Sequence, residues 1–340
     1  MIRYSIIVAV YNRVDEVREL LASAEALVFD RSGFEFLFVD DGSTDGFREM
    51  IENYQSASGL QVSAIYQANQ GPGAARNHGM EEAAGRYFIF LDSDCMVPPH
   101  WISAIDEAIE QSGYDAFGGP DTFHPSFSPL LKAINYSMTS FLGTGGTRGS
   151  KKSIGKFYPR SFNMGVSRQI FEKIGGMNKL RHGQDMDFSA RIYAAGYKVG
   201  LITDAYVFHK RRTSIWKFFK QIFNWGVARI NLGRLHPSLL KPVHFLPSLI
   251  LTGLIILLII SLLTGIWWIW WVVGLGYALV CLTAFVQAFS QYRELKTAFL
   301  SIITLNIQVF AYGMGLLYAL WQRIWHEEAR GFTKNYYGKK

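Results

Sequence analysis

The sequence predicts an α/β domain with a mostly parallel sheet, followed by an amphipathic helix and then an apolar helical region. Three observations carry that prediction. Short apolar, β-branched runs alternate with segments of helical periodicity through the first two-thirds of the chain, which is the pattern of a parallel sheet with crossover helices. Acidic and glycine-rich turns follow those runs. From Val243 onward the composition becomes that of a lipid-facing segment.

The elements follow in order. Ser5 to Val10 is an apolar strand closed by Tyr11-Asn12-Arg13, and a helical pattern then runs through Leu20, Leu21 and Ala24 to about Val28. Phe34 to Val39 forms a second strand, ending in Asp40-Asp41-Gly42-Ser43-Thr44-Asp45-Gly46, a turn and cap that open another helix. Val62 to Tyr66 and Tyr87 to Leu91 repeat the cycle, with Gly71 to Glu82 as a glycine-rich turn leading into a helix. Gly143 to Gly149, followed by Lys151 and Lys152, has the composition of a loop and is a candidate lid.

Composition narrows the partners. Much of the net charge of +7 sits in Lys210, Arg211, Arg212, Lys217, Lys220, Arg229 and Arg234, just ahead of the apolar region, where anionic headgroups are nearer than nucleic acid. Nucleic acid is therefore not expected as a partner. Two cysteines, Cys95 and Cys281, lie in regions of different character and support neither a disulfide framework nor a thiolate zinc site. The apolar run at the N-terminus is too short and too β-branched for a signal peptide.

In open parallel sheets ligands lie beyond the carboxyl ends of the strands. Asp40, Asp41, Gly71, Asp92 and Asp94 all fall at such ends. Asp92-Ser93-Asp94 follows an apolar strand directly, so both carboxylates can address one hard cation, which takes oxygen ligands and would neutralise a diphosphate. Asp40-Asp41-Gly42-Ser43 offers acceptors for a nucleobase or ribose. The segment Asn69 to Asn77 supplies a close-approach turn, a helix N-terminus and the Arg76 guanidinium. Taken singly, each motif is also an ordinary turn or helix cap; their occurrence at successive strand ends points to a nucleotide site.

Read together, Ser5 to Arg13, Val39 to Asp45, Asn69 to Asn77 and Leu91 to Asp94, continued by Phe162-Asn163-Met164-Gly165 and Gly183-Gln184-Asp185-Met186-Asp187, resemble the family 2 glycosyltransferases of the GT-A fold. The resemblance spans roughly residues 1 to 212. It implies an inverting transfer from a UDP- or GDP-sugar, assisted by Mn2+ or Mg2+. Asp41 and Asp40 would bind base and ribose, Gly71, Arg76 and Asn163 would line the donor pocket, Asp92 would face ribose or sugar, and Asp94 would ligate the metal. Asp185 falls where the family places its catalytic base, with Gln184 in place of the usual Glu. His209 matches a metal-binding His at the end of the domain in many relatives, although an isolated His is as often simply packed. The alternatives to this activity are a nucleotidyltransferase and a catalytically silent membrane scaffold.

The remaining segments complete the domain plan: 1–212 catalytic, 213–242 an amphipathic interfacial helix and linker, 243–322 transmembrane, and 323–340 a basic tail. Ile215, Phe218, Phe219, Ile222, Phe223 and Trp225 interleave with Lys217, Lys220, Arg229 and Arg234, as expected for a helix lying at a membrane surface. Three stretches reach the roughly 20 residues a bilayer requires: about 243–263, 266–289 and 298–321. The uncharged Thr264-Gly265 turn, against Arg293 and Lys296 in the next link, favours a cytoplasmic catalytic domain on the inner membrane. Three crossings place the basic tail outside, so the third stretch, interrupted by Asn306, Gln308, Gly313 and Gly315, is also a candidate re-entrant segment. The acceptor would be lipid-linked or membrane-proximal.

Overall fold

The computed structural model describes residues 2–145, 156–210, 212–326 and 328–332. These divide into two compact units, 2–124 with 156–210, and 125–145 with 212–326 and 328–332. The expected lid falls mainly on residues outside the described ones; its first residue, Gly143, belongs to a short helix.

The first unit is built on strands β1 (Tyr4–Val10), β2 (Phe34–Asp40), β3 (Val62–Tyr66) and β4 (Tyr87–Asp92), interleaved with helices α1 (Val14–Ala24), α2 (Phe47–Glu52) and α3 (Pro72–Glu82). After β4 come β5 (Cys95–Met96), α4 (Trp101–Ser112), β6 (Ala116–Gly118) and β7 (Asp121–Thr122). The chain returns to this unit with β8 (Asn163–Ser167), α7 (Arg168–Ile174), α8 (Gln184–Ala194), β9 (Val199–Leu201) and β10 (Val207–His209). The intervening α5 (Pro129–Thr139) and α6 (Phe141–Thr144) belong to the second unit. Residues 125–145 thus group with the apolar helices, although they fall inside the stretch 1–212 read as one domain.

Seven strands form one sheet in the order β3-β2-β1-β4-β8-β6-β9. The first four run parallel, as alternation with helices requires, while β8 is antiparallel to both β4 and β6. Strand alternation feeds two cores. Tyr4, Ile6, Val8 and Val10 of β1 pack with Ile89 and Leu91 of β4 on one face, and Ile7 packs with Phe88 and Phe90 on the other. Both faces being apolar explains why these strands read as continuous apolar runs. The strand order reverses at β1, so the crevice beyond β1 and β4 is where a ligand of this fold class belongs. A second, three-stranded sheet has the order β5-β10-β7.

The second unit holds α9 (Ile215–Leu235), α10 (Leu246–Thr264), α11 (Ile269–Tyr292) and α12 (Leu295–Gln322) with α5 and α6. Among the described residues, three helices are long and apolar enough to cross a membrane, running over Pro242–Thr264, Ile269–Tyr292 and Leu295–Gln322. The third is continuous through the residues that suggested an interruption. Gly315 and Gly226 let α12 and α9 meet backbone to backbone: a Cβ on Gly315 would lie 2.0 Å from Phe223 O, and one on Gly226 would lie 2.2 Å from Tyr312 O. The glycines of α12 are therefore packing positions. The apolar stripe of α9, expected to face lipid, is partly spent in the same way, with Phe218 and Ile222 buried against Ile134 and Met138 of α5 and Ala311 of α12.

Candidate active site

Acidic residues at the ends of β2 and β4 occupy the positions their strands dictate, but each is committed to a different partner. Asp41 is buried and accepts three hydrogen bonds, from Gln67 Nε2 and Gln70 N at Oδ1 and from Gly71 N at Oδ2, each 2.8 Å. Its carboxylate organises the turn that opens α3. Asp40 accepts from Ser43 N at 2.9 Å and so shapes its own turn. The loops after β1 and β2 are joined by Asn12, whose Oδ1 accepts from Thr44 N at 2.7 Å and whose N–H donates to Ser43 Oγ at 2.9 Å.

Arg76, on the second turn of α3, is buried and donates to Asp92 Oδ1 at 2.6 Å. Asp92 remains about a third exposed, so it faces the crevice while anchored to α3. Asp94 turns elsewhere: its Oδ1 lies 3.1 Å from His209 Nε2. The two acids of Asp92-Ser93-Asp94 thus face different residues, Arg76 and His209.

His209 is brought to Asp94 by sheet pairing, since β10 lies between β5 and β7 with His209 opposite Cys95 and Val207 opposite Asp121. Its Nδ1 is 3.4 Å from Asp121 Oδ2, and its ring lies against Phe162 with centroids 5.2 Å apart. Burial lowers the imidazole pKa, but the charge of Asp94 and the hydrogen bonds to Asp121 and Asp94 outweigh it and lift the value to about 9. The pocket thus selects positive charge. Asp94, Cys95 and His209 each offer a donor atom within 4.8 Å of the others. Cys95 is the weak member, because its buried thiol, raised well above its ordinary pKa, points its Sγ to Phe162 O at 3.8 Å. One carboxylate and one imidazole fit a divalent cation that has further positions for phosphate oxygens.

Asp185 sits in the first turn of α8, about four-fifths buried, with Oδ1 accepting from Met186 N at 2.9 Å and Oδ2 4.0 Å from Arg160 Nη1. The start of α8 meets the start of α3 through Gln184, whose amide lies so close over Gly73 that a Cβ there would approach it to 2.5 Å. Next to it, His182 is mostly enclosed, and among the described residues neither ring nitrogen has a hydrogen-bond partner. Burial, reinforced by Arg181, lowers its pKa to about 4.

Asn163, expected to line the donor pocket, is engaged within the protein. Asn163 is buried with both ends of its amide taken by protein: Trp101 Nε1 donates to Oδ1 at 3.2 Å and Nδ2 donates to Ala205 O at 2.7 Å. It ties β8 to its surroundings. Sequence reasoning missed Gln67, Asp121 and Arg160; the strands that place Asp121 and His209 are two and three residues long, too short to show a period. A cavity of about 340 Å³ beside α3, lined in part by Gln67, Gln70, His78 and Lys179, is lined by none of Asp92, Asp94, Asp185 and His209.

Comparison with known proteins gives the family and the fold. The family model described as Glycosyl transferase family 2 matches residues 5–175, and that described as Glycosyl transferase family 21 matches 133–325. Glycosyltransferase AglE of Haloferax volcanii is 29% identical over 252 residues, covering 73% of this chain and 80% of that protein. The putative glycosyltransferase EpsH of Bacillus subtilis is 37% identical over 238 residues, covering 66% of each. Among solved structures, the mannosyltransferase PcManGT from Pyrobaculum calidifontis, in complex with GDP-Man and Mn2+, superposes with a TM-score of 0.68 over 94% of this chain and 88% of that one. At 16% identity that likeness is one of fold.

Proposed function

Because this chain belongs to glycosyl transferase family 2, we propose that it moves a sugar from a UDP- or GDP-sugar to an acceptor at the membrane, with inversion and with Asp185 as general base. The observation that carries this reading is the meeting of Asp94 and His209 at 3.1 Å beyond β4, beside the Arg76–Asp92 pair that ties the same strand end to α3.

Asp94 and His209 would hold a divalent cation, whose chemistry is to offset the charge on the departing diphosphate. The imidazole donor favours Mn2+ over Mg2+, which prefers oxygen. The Pyrobaculum mannosyltransferase, of the same fold, is described with GDP-Man and Mn2+. The turn at Gly71, held by Asp41, and the N-terminus of α3 present N–H groups suited to the nucleotide. Asp40 and Asp41 act there chiefly by shaping the turns that receive base and ribose, and Asp92 faces the sugar. Asp185 removes the acceptor hydroxyl proton as that oxygen attacks the anomeric carbon, while the bond to the diphosphate breaks on the opposite face.

Three apolar helices point to a lipid-linked or membrane-proximal acceptor, with the first unit on the cytoplasmic side. The test is to incubate the purified full chain with lipid extract, Mn2+ and a panel of UDP- and GDP-sugars. Released nucleoside diphosphate, the mass of extracted lipids and the anomeric configuration of the product are then read. One donor should react, only with the cation, giving an inverted linkage; release indifferent to the cation or a retained configuration would contradict the proposal.

A further inference from the structure

His209 is approached by carboxylates on both ring nitrogens, and the two carboxylates differ in setting. Asp94, next to Nε2, has a side chain 16% exposed at the end of β4, whereas Asp121, next to Nδ1, has a side chain only 5% exposed. An imidazole ligates a cation through one nitrogen, and its other N–H requires an acceptor that fixes both tautomer and ring plane. The more enclosed Asp121, held by the pairing of β7 with β10, is placed to be that acceptor.

We propose that Asp121 is a positioning residue for the cation site: it accepts the Nδ1 proton of His209 and so turns the Nε2 lone pair towards the position shared with Asp94. The inference rests on the reading of Asp94 and His209 as cation ligands. Phe162, packed against the imidazole, limits rotation of the ring out of this arrangement. Asp121 itself touches neither sugar nor diphosphate in this scheme; it acts through His209.

The test is Mn2+ binding to the detergent-solubilised full chain, without nucleotide, followed by the loss of the free-Mn2+ electron paramagnetic resonance signal. Asp94→Ala should abolish binding. Asp121→Asn, which retains an acceptor oxygen but no charge, should weaken binding about 10-fold, and Asp121→Ala should weaken it towards 100-fold. Thermal unfolding of Asp121→Asn without Mn2+ should match that of the unmodified protein, which separates positioning from a general structural role. Unchanged affinity in both Asp121 variants would overturn the inference while leaving the cation site intact. A loss in Asp121→Asn as complete as in Asp94→Ala would make Asp121 a ligand and overturn it too. Equal binding by Asp94→Ala and the unmodified chain would instead remove the cation site and, with it, the role of Asp121.

Discussion

Arg76 and Asp92 are joined at 2.6 Å, and their burial is unequal: the guanidinium side chain is 8% exposed and the carboxylate side chain 31%. Losing the acid strands a buried cation, whereas losing the cation leaves a carboxylate that water can reach. Asp92→Ala should therefore destabilise the chain by about 3 kcal/mol and Arg76→Met, which keeps much of the volume, by only about 1 kcal/mol. Thermal unfolding in detergent checks the order; equal losses would contradict it.

Asp185→Asn should lower the rate of transfer by about 10²- to 10⁴-fold, the contribution of a positioned general base. Affinity for the nucleoside diphosphate, read by isothermal titration calorimetry, should stay unchanged because the carboxylate faces the acceptor in the proposed scheme. A parallel fall in nucleotide affinity would move Asp185 into the donor site.

Gly73 and Gln184 make a coupled pair. Gly73→Ala forces its new methyl group into the Gln184 amide, which should displace the start of α8 and with it Asp185. Activity should fall at least about tenfold, in line with the sensitivity of catalysis to small misplacements. The double variant Gly73→Ala with Gln184→Ala should recover much of the loss. Absence of recovery would mean that the contact does not set the position of α8.

His182 gives a pH dependence whose sign follows from its environment. Its pKa falls from an ordinary 6.5 to about 4 in the folded chain, so the folded state favours the neutral ring. The stabilisation is present above pH 6.5 and is lost as pH falls towards 4, to a limit of about 3 kcal/mol. His182→Leu should flatten the pH dependence of the unfolding temperature over that interval. An unaltered slope would place its origin elsewhere.

Gly226→Leu or Gly315→Leu would drive a side chain into the backbone of the facing helix, where even a Cβ lies 2.0–2.2 Å from a carbonyl oxygen. Separation of α9 from α12 should lower the unfolding temperature and increase trypsin cleavage at Lys217, Lys220 or Arg229. Wild-type resistance to trypsin in both variants would show that the helices tolerate the separation.

Much of the candidate site was legible because its acids lie at the ends of long apolar strands: Asp40, Asp41, Asp92 and Asp94 are marked by position. What each acid does was less legible. The bonds of Asp41 to residues 67–71 and of Asp94 to His209 depend on loop closure and on the register of very short strands, neither of which leaves a periodic trace. Asn163 shows the converse, a motif residue whose amide is consumed by the scaffold. The apolar helices were plain from length and composition, and their ends shift by only a few residues. The grouping of α5 with them was hidden, because nothing in the sequence pairs Lys132, Asn135, Tyr136 and Ser137 with the distant Glu294, Tyr292, Gln287 and Thr304.

Helix α5 is encoded midway through the first unit yet finds its polar partners on α11, on α12 and in the link between them. Ending the polypeptide after Lys210 would therefore not liberate a water-soluble enzyme. It would orphan a lysine, an asparagine and a tyrosine together with the apolar flank of Ile134 and Met138. Anyone seeking a soluble version must excise two separated stretches of the gene rather than trim one end, and rejoin the chain after residue 124.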